Sequence, residues 1–173
     1  ALKDDDVTLS LQNPSLLHRG CSNQFAFSFV DYFADIRYGY TAYAKSFDKI
    51  GNFSAAMQFV NYGKFQSADE YGIIDGTFKA ADYCFNLGYS RQKDSTFYYG
   101  LTLKTIYSKY ERYTSVGNAI DAGLTYHNHK YNFVASVVAR NMGMQWKSYS
   151  GGTKEKLDNT FQIGISKKIP KAP

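Results

Sequence analysis

From Gln24 onward, apolar and polar residues alternate along the chain with a period of two. This alternation is typical of β-strands whose two faces meet different surroundings. No segment of useful length shows the period of 3.6 residues that an amphipathic helix requires, so we expect an all-β protein. The pattern predicts eight strands, at residues 24–30, 36–46, 53–65, 77–91, 96–108, 118–127, 131–141 and 160–168.

The fifth predicted strand shows the two faces most clearly. One face carries Phe97, Tyr99, Leu101, Leu103, Thr105 and Tyr107. The other carries Tyr98, Gly100, Thr102, Lys104, Ile106 and Ser108. Aromatic residues thus stand at both ends of the apolar face, with leucines between them, as a strand that crosses a lipid bilayer requires.

The links between the predicted strands alternate in length. Short polar turns are predicted at 48–52, 92–95 and 128–130, and longer links at 65–76, 109–117 and 143–159. This pattern is typical of an antiparallel, up-and-down transmembrane β-barrel, with the N-terminus and the short turns in the periplasm. It predicts a location in the outer membrane of a Gram-negative bacterium.

The size of such a barrel limits what it can hold. Residues 1–23 read as an irregular segment, a candidate periplasmic plug, and residues 24–173 as the barrel strands. Eight strands enclose an interior that their own side chains fill, which leaves no room for a plug. The chain also ends without a closing aromatic strand. We therefore expect the N-terminal half of a larger barrel, with about eight of its strands. The alternative is an eight-stranded barrel with its N-terminal segment outside.

Charged residues are expected on the face opposite the apolar one. A barrel in lipid must turn its charges toward its interior, where opposite charges can pair. The alternation assigns six of them to this interior network: Arg37, Lys45, Asp82, Lys104, Asp121 and Arg140. The alternative is a soluble β-sheet binding domain, in which the apolar face is the core and these charges meet water.

Composition excludes a disordered chain, and the distribution of charge disfavours a nucleic-acid-binding protein. Aromatic residues make up 17% of the chain, and disordered chains are poor in them. The net charge of +5 would suit a nucleic-acid-binding platform, but the lysines and arginines are spread along the chain rather than clustered. We therefore predict no nucleic-acid partner.

Residues capable of chemistry are few. His127 and His129 flank a predicted turn, with His18 far away, so solvated histidines are favoured over a metal site. No nucleophile-base arrangement is evident, and we predict no catalytic residue, metal or cofactor. Cys21 and Cys84 form either one bridge between plug and wall or two free thiols.

Trp146 and Tyr149 lie in the longest predicted link. Tryptophan and tyrosine dominate protein interfaces, so both are candidates for contact with a surface partner. They serve equally well as aromatic residues at the membrane interface.

Several short stretches resemble the PorQ family of the type IX secretion system, in order and in spacing. They are 31–40, 62–65, 76–83, 87–91 and 103–108, together with the early Asn13 and Pro14, which are similar to an Asn-Pro motif of PorQ, PorV and FadL-like barrels. Residues 167–173 resemble a mid-chain stretch of that family, and its members are about twice as long as this chain.

This resemblance implies an outer-membrane barrel with FadL-like kinship and no catalytic role. It implies a place in an attachment complex with partners resembling PorU, PorV and PorZ, where the protein anchors a PorZ-like surface partner while cargo is attached to lipopolysaccharide. The alternative within the same fold is a FadL-like transporter of hydrophobic small molecules. That alternative requires an apolar interior pocket.

Overall fold

Eight antiparallel strands form one sheet in the order of the chain. The computed structural model describes residues 5–149, 152, 154 and 156–167. The strands are β1 (Phe25–Asp31), β2 (Arg37–Phe47), β3 (Gly51–Ala68), β4 (Ile74–Gln92), β5 (Phe97–Tyr110), β6 (Tyr113–Asn128), β7 (Phe133–Lys147) and β8 (Thr160–Lys167). Each strand pairs with the next, so the predicted all-β, up-and-down arrangement of eight strands is confirmed.

The sheet has two open edges in the part of the chain that the structure describes. Each of β1 and β8 pairs on one side only, and they do not pair with each other. The helical residues described are short 3-10 turns, and none of the described helices is long and apolar enough to cross a membrane. The predicted strand end at Lys168 and the stretch 168–173 lie outside the described residues.

Backbone pairing determines which side chains share a face, because directly paired residues of neighbouring strands point the same way. One row of successive pairs is apolar throughout: Phe25, Tyr43, Ala55, Leu87, Leu103, Ile120 and Met142. The neighbouring row, on the opposite face, is small or polar: Ala26, Ala42, Ala56, Asn86, Lys104, Ala119 and Gly143. We call the first the outer face and the second the inner face.

The N-terminal segment, residues 5–23, packs against the inner face. It contains three 3-10 helices, Val7–Leu11, Pro14–Leu16 and Arg19–Cys21, of which the second contacts β4, β5 and β6. Asn13 caps the second helix by accepting a hydrogen bond from the Ser15 backbone N–H, and Pro14 occupies the first helical position, where its missing N–H costs nothing.

The predicted face of β2 is wrong, and with it two members of the predicted interior network. Ala42 and Ala44 are buried on the inner face, whereas Arg37 and Lys45 belong to the outer face. Both faces of β2 mix tyrosine with small residues, so its alternation carries little information. Its two cations lie near the strand ends, where a charge reaches water from either face.

The predicted difference in link length is wrong for two of the three long links. The link between β3 and β4 is 69–73, and that between β5 and β6 is 111–112. Residues predicted to form loops extend the strands instead, most of all in β6 and β7. The two rims of the sheet, at the two ends of its strands, therefore differ through this extension and through the long link 148–159.

Gly100 allows the closest approach between the sheet and the N-terminal segment. A Cβ atom at this position would overlap the backbone carbonyl group of Pro14. Gly100→Ala should therefore displace the segment and lower the free energy of unfolding of the native protein by roughly 1–3 kcal/mol. A urea titration measures this change.

Gly164 provides the matched control, because a Cβ atom there meets no described atom within 4 Å. Gly164→Ala should leave stability nearly unchanged. Equal effects of the two substitutions would contradict the packing of the segment on the inner face.

Candidate functional site

The apolar face of this sheet is exposed and its polar face is buried, which is the reverse of the arrangement in a water-soluble sheet. Leu103 and Leu87, in the middle of the outer face, are 56% and 63% exposed. Asp121, in the middle of the inner face, and Thr125, toward the end of the same strand, are 1% and 0% exposed. An exposed apolar surface that runs across all eight strands marks contact with a membrane or a partner, because water-soluble monomers rarely expose one of that size.

Aromatic residues line both margins of this apolar surface. One margin is the row of Phe29, Phe59, Tyr83 and Tyr107, which we call the first girdle. The rings of Tyr83 and Tyr107 lie 6.4 Å apart there. At the other margin Phe53 contacts Phe47 and Tyr89, and Tyr126 contacts Phe97 and Phe133.

The distance between the margins fits a bilayer. From Phe97 to Tyr107 on β5 there are ten residue steps, on the order of 34 Å of extended strand. At a strand tilt of about 40°, as in transmembrane barrels, this length rises about 26 Å. Transmembrane barrels carry an outward apolar band about 25 Å tall between two aromatic girdles. The outer face therefore has the dimensions of a lipid-facing surface.

A buried ion pair lies at the centre of the inner face. The ammonium nitrogen of Lys104 is 2.6 Å from a carboxylate oxygen of Asp121, and Arg140 Nε is 3.7 Å from the same oxygen. The pairing of β6 with β7 shifts register at this point. There Asn141 adopts a positive φ of 58°, its backbone N–H donates to Asp121 at 2.8 Å, and its side chain accepts from Lys104 at 3.0 Å.

The same face holds the N-terminal segment by hydrogen bonds. Arg140 donates to the Gln12 side chain at 3.1 Å. The hydroxyl groups of Ser15 and Thr125 lie 2.7 Å apart. The carbonyl group of Leu17 accepts from the side chains of Ser90 and Asn52. These polar residues of the inner face are thus paired with each other or with this segment.

The remaining members of the predicted network lie apart from this centre. Asp82 is on the inner face and accepts a hydrogen bond from Tyr62 at 2.8 Å. On the outer face, Lys45 donates to Asn23 at 2.7 Å, and Arg37 pairs with Asp31 at 3.1 Å. The six charges therefore divide into one buried cluster of three and three separate contacts.

The two aromatic partner candidates lie near the end of β7. Trp146 is 65% exposed and follows the buried Gln145, which places it on the outer face. Tyr149 follows β7 in the long link and is 38% exposed. Their role in partner contact stays a prediction.

One histidine departs from its predicted surroundings, and the cysteines take one of their two predicted arrangements. His127 is buried at the end of β6, not solvated in a turn, and its ring centroid lies 3.9 Å from that of His129, with the ring planes tilted by 46°. Among the described residues no three metal-binding side chains come together. Cys21 and Cys84 are both free thiols.

His18 bridges two acceptors within the N-terminal segment. Its Nδ1 lies 2.9 Å from the Leu16 carbonyl oxygen, and its Nε2 lies 3.0 Å from an Asp5 carboxylate oxygen. Only the doubly protonated ring donates to both. A hydrogen bond with Cys21 is the largest cause that raises the pKa of His18 to about 9, and the Leu16 and Asp5 contacts raise it further against the opposing effect of burial.

Sequence reasoning missed the bulge at Asn141 and the role of the inner glycines. Gly88, Gly100 and Gly123 all lie on the inner face, and the last two face the backbone or side chains of residues 13–15. Their signal is present in the alternation, since glycine recurs at polar-face positions of neighbouring strands. It becomes interpretable only when the segment that fills the space is known.

Asp121→Asn should lower the free energy of unfolding of the native protein by about 3–5 kcal/mol, because it leaves the buried Lys104 ammonium without its counter-charge. The control is Asp82→Asn, which keeps an oxygen that can accept from Tyr62 and should cost less than about 1 kcal/mol. Urea titrations of the two variants measure both changes. A loss for Asp121→Asn as small as that of the control would contradict the buried pair.

The His18 contacts should make stability depend on pH. Because the pKa of His18 is raised in the folded state, its contacts stabilise the fold fully below the ordinary pKa of 6.5. This contribution is lost as the pH rises from 6.5 to about 9. The free energy of unfolding, measured by urea titration between pH 6 and pH 9.5, should therefore fall over that window in the native protein. It should fall less steeply in His18→Gln, and equal slopes would show that the bridge does not form.

No family model matches the chain, and neither a curated protein nor a solved structure matches it.

Proposed function

We propose that this chain forms part of the wall of an outer-membrane β-barrel, with a non-catalytic role as an anchor in protein secretion. The observation that carries the proposal is the inverted burial of the sheet. Leu103 and its apolar row face outward across the strands, while Lys104 and Asp121 are buried beneath. A bilayer is the surrounding that stabilises such a surface over its whole extent.

A water-soluble sheet would need a second layer on its outer face. β-sandwiches bury the apolar faces of two sheets against each other. Among the described residues all eight strands belong to one sheet, and the N-terminal segment packs on the polar face. In a water-soluble protein, the apolar face of this sheet would thus be exposed to water.

The open edges support a barrel larger than this chain. At membrane depth an unpaired backbone N–H or C=O group costs several kcal/mol, so a sheet in lipid must close on itself. β1 and β8 each leave one edge unpaired within the described residues. Further strands that join these two edges would satisfy both.

The inner face argues against transport of hydrophobic molecules. A FadL-like transporter needs an apolar interior pocket, whereas this interior carries Lys104, Asp121 and Arg140. The N-terminal segment also occupies the same face. Anchoring requires no such pocket, so it fits the polar interior better.

The resemblance to the PorQ family supports the secretion role. By that resemblance, the partners are proteins similar to PorU, PorV and PorZ, and the barrel holds a PorZ-like partner at the cell surface. The rim that carries the 148–159 link and the extended β3 and β4 would face outward, since outer-membrane barrels have their longer loops outside. Trp146 and Tyr149 lie near that rim.

Fractionation of cells that make the native protein tests the membrane assignment. An antibody to this chain should detect a band in the outer-membrane fraction, well above 19.6 kDa. The mobility of this band should differ between unheated and boiled samples. Leu103→Arg should abolish the heat-dependent shift, because a cation at the middle of the lipid-facing band costs about 2–4 kcal/mol.

Leu103→Met is the matched control and should behave like the native protein, since it keeps an apolar side chain of similar volume. A soluble band near 19.6 kDa without a heat shift would overturn the proposal. So would a Leu103→Arg variant that keeps the shift, because an exposed leucine in water tolerates arginine.

A further inference from the structure

Cations gather on the outer face just beyond the first girdle. Five of them lie on neighbouring strands or in the turn that joins β5 to β6: Arg37, Lys64, Lys79, Lys109 and Arg112. All five are exposed. They line two adjoining grooves, which share Asn61 and Lys79. We call these two grooves the cationic grooves.

Lys64 and Lys79 stand directly opposite each other on β3 and β4. The register of this pair of strands shifts between Asn61 and Lys64, so that one extra residue of β3 is accommodated. This irregularity returns Lys64 to the outer face, where it meets Lys79. Like charges in directly opposed positions of a sheet destabilise it, so the local backbone creates a repulsion that a bound anion would relieve.

Neighbouring acids neutralise these lysines only in part. Asp35 lies in one of the cationic grooves and Glu111 in the other. Arg37 is paired with Asp31. Within the described residues no ion pair involves Lys64, Lys79 or Lys109, all of which are exposed.

The depth of the grooves matches the headgroup layer of a bilayer. Tyr83 belongs to the first girdle, and aromatic girdles lie at the membrane interface. Lys79 comes four residues further along β4, about 14 Å beyond Tyr83 along the strand. Lys109 comes two residues beyond Tyr107 on β5, about 7 Å. The ammonium groups therefore stand where lipid phosphates lie.

We propose that the cationic grooves bind the phosphorylated headgroup of a glycolipid of the outer leaflet. The inference rests on the proposed membrane location, and it adds a specific lipid site to it. Lysine ammonium groups bind phosphate as point charges, and Asn61 lies between the grooves with a polar side chain. Lipid is favoured over an acidic protein because the cations share the outward face of the apolar band.

Native mass spectrometry of the purified native protein tests the site, with added lipid A as the probe. Lipid A with two phosphates should be retained, and the same lipid without phosphates should be retained far less. Lys64→Gln combined with Lys79→Gln should weaken retention about 25-fold, because each lysine near a charged membrane surface contributes roughly a factor of five.

The matched control is Lys49→Gln combined with Lys93→Gln, which removes two lysines from turns at the opposite rim. The control should retain lipid A like the native protein. Both double variants should keep the heat-dependent shift, which reports the membrane fold separately from lipid binding.

Two results would overturn the inference while the proposed function stands. One is equal retention of lipid A by native protein and the Lys64/Lys79 variant, with the heat shift intact. The other is equal retention of the lipids with and without phosphates. A native protein that shows no heat shift and no membrane location would instead remove the proposed function, and the lipid site with it.

Discussion

Antiparallel backbone pairing across eight consecutive strands determines which side chains stand together, and the rest of this structure depends on that register. A row of direct pairs runs from Phe25 on β1 to Met142 on β7 and is apolar at every strand. A shift of one residue in any strand would move its apolar side chains to the polar face. Turns of two to five residues between most strands limit such shifts.

The inner face shows how a polar surface becomes a stable interior. Burial of an unpaired polar group is costly, so each such group needs a partner. The N-terminal segment supplies many of them, through Asn13, Ser15 and the Leu17 carbonyl group. Glycines on β5 and β6 let its backbone come close enough for these short contacts. Segment and sheet are therefore complementary in both shape and hydrogen bonding.

Two irregularities in the strand pairing, one affecting each face of the sheet, bring charged groups together. On the inner face, the bulge at Asn141 turns a backbone N–H toward Asp121 and completes the surroundings of a buried ion pair. On the outer face, the irregularity before Lys64 brings two lysines together. The first concentrates opposite charges where water is excluded, and the second leaves like charges exposed. Only the exposed lysines of the outer face can therefore bind an anion from outside the protein.

The period-two alternation by itself determined that the chain folds as eight strands with two chemically different faces. In β5 it also assigned the faces correctly, because Leu101 and Leu103 alternate there with small or polar residues. It failed in β2, where both faces carry tyrosines and small residues and the cations lie near the strand ends. It also could not distinguish a loop from a strand that continues beyond the apolar band, as in β3 and β4.

Tertiary structure alone decided which charges meet. Lys104 and Asp121 could be placed on one face from the sequence, but their 2.6 Å contact depends on the pairing of β5 with β6 and on the bulge in β7. The bridge that His18 makes to Asp5 and the opposition of Lys64 to Lys79 have no periodic signal either. The physical reason is that alternation reports the side of a strand, whereas contact requires the register between strands, which is set by the whole sheet.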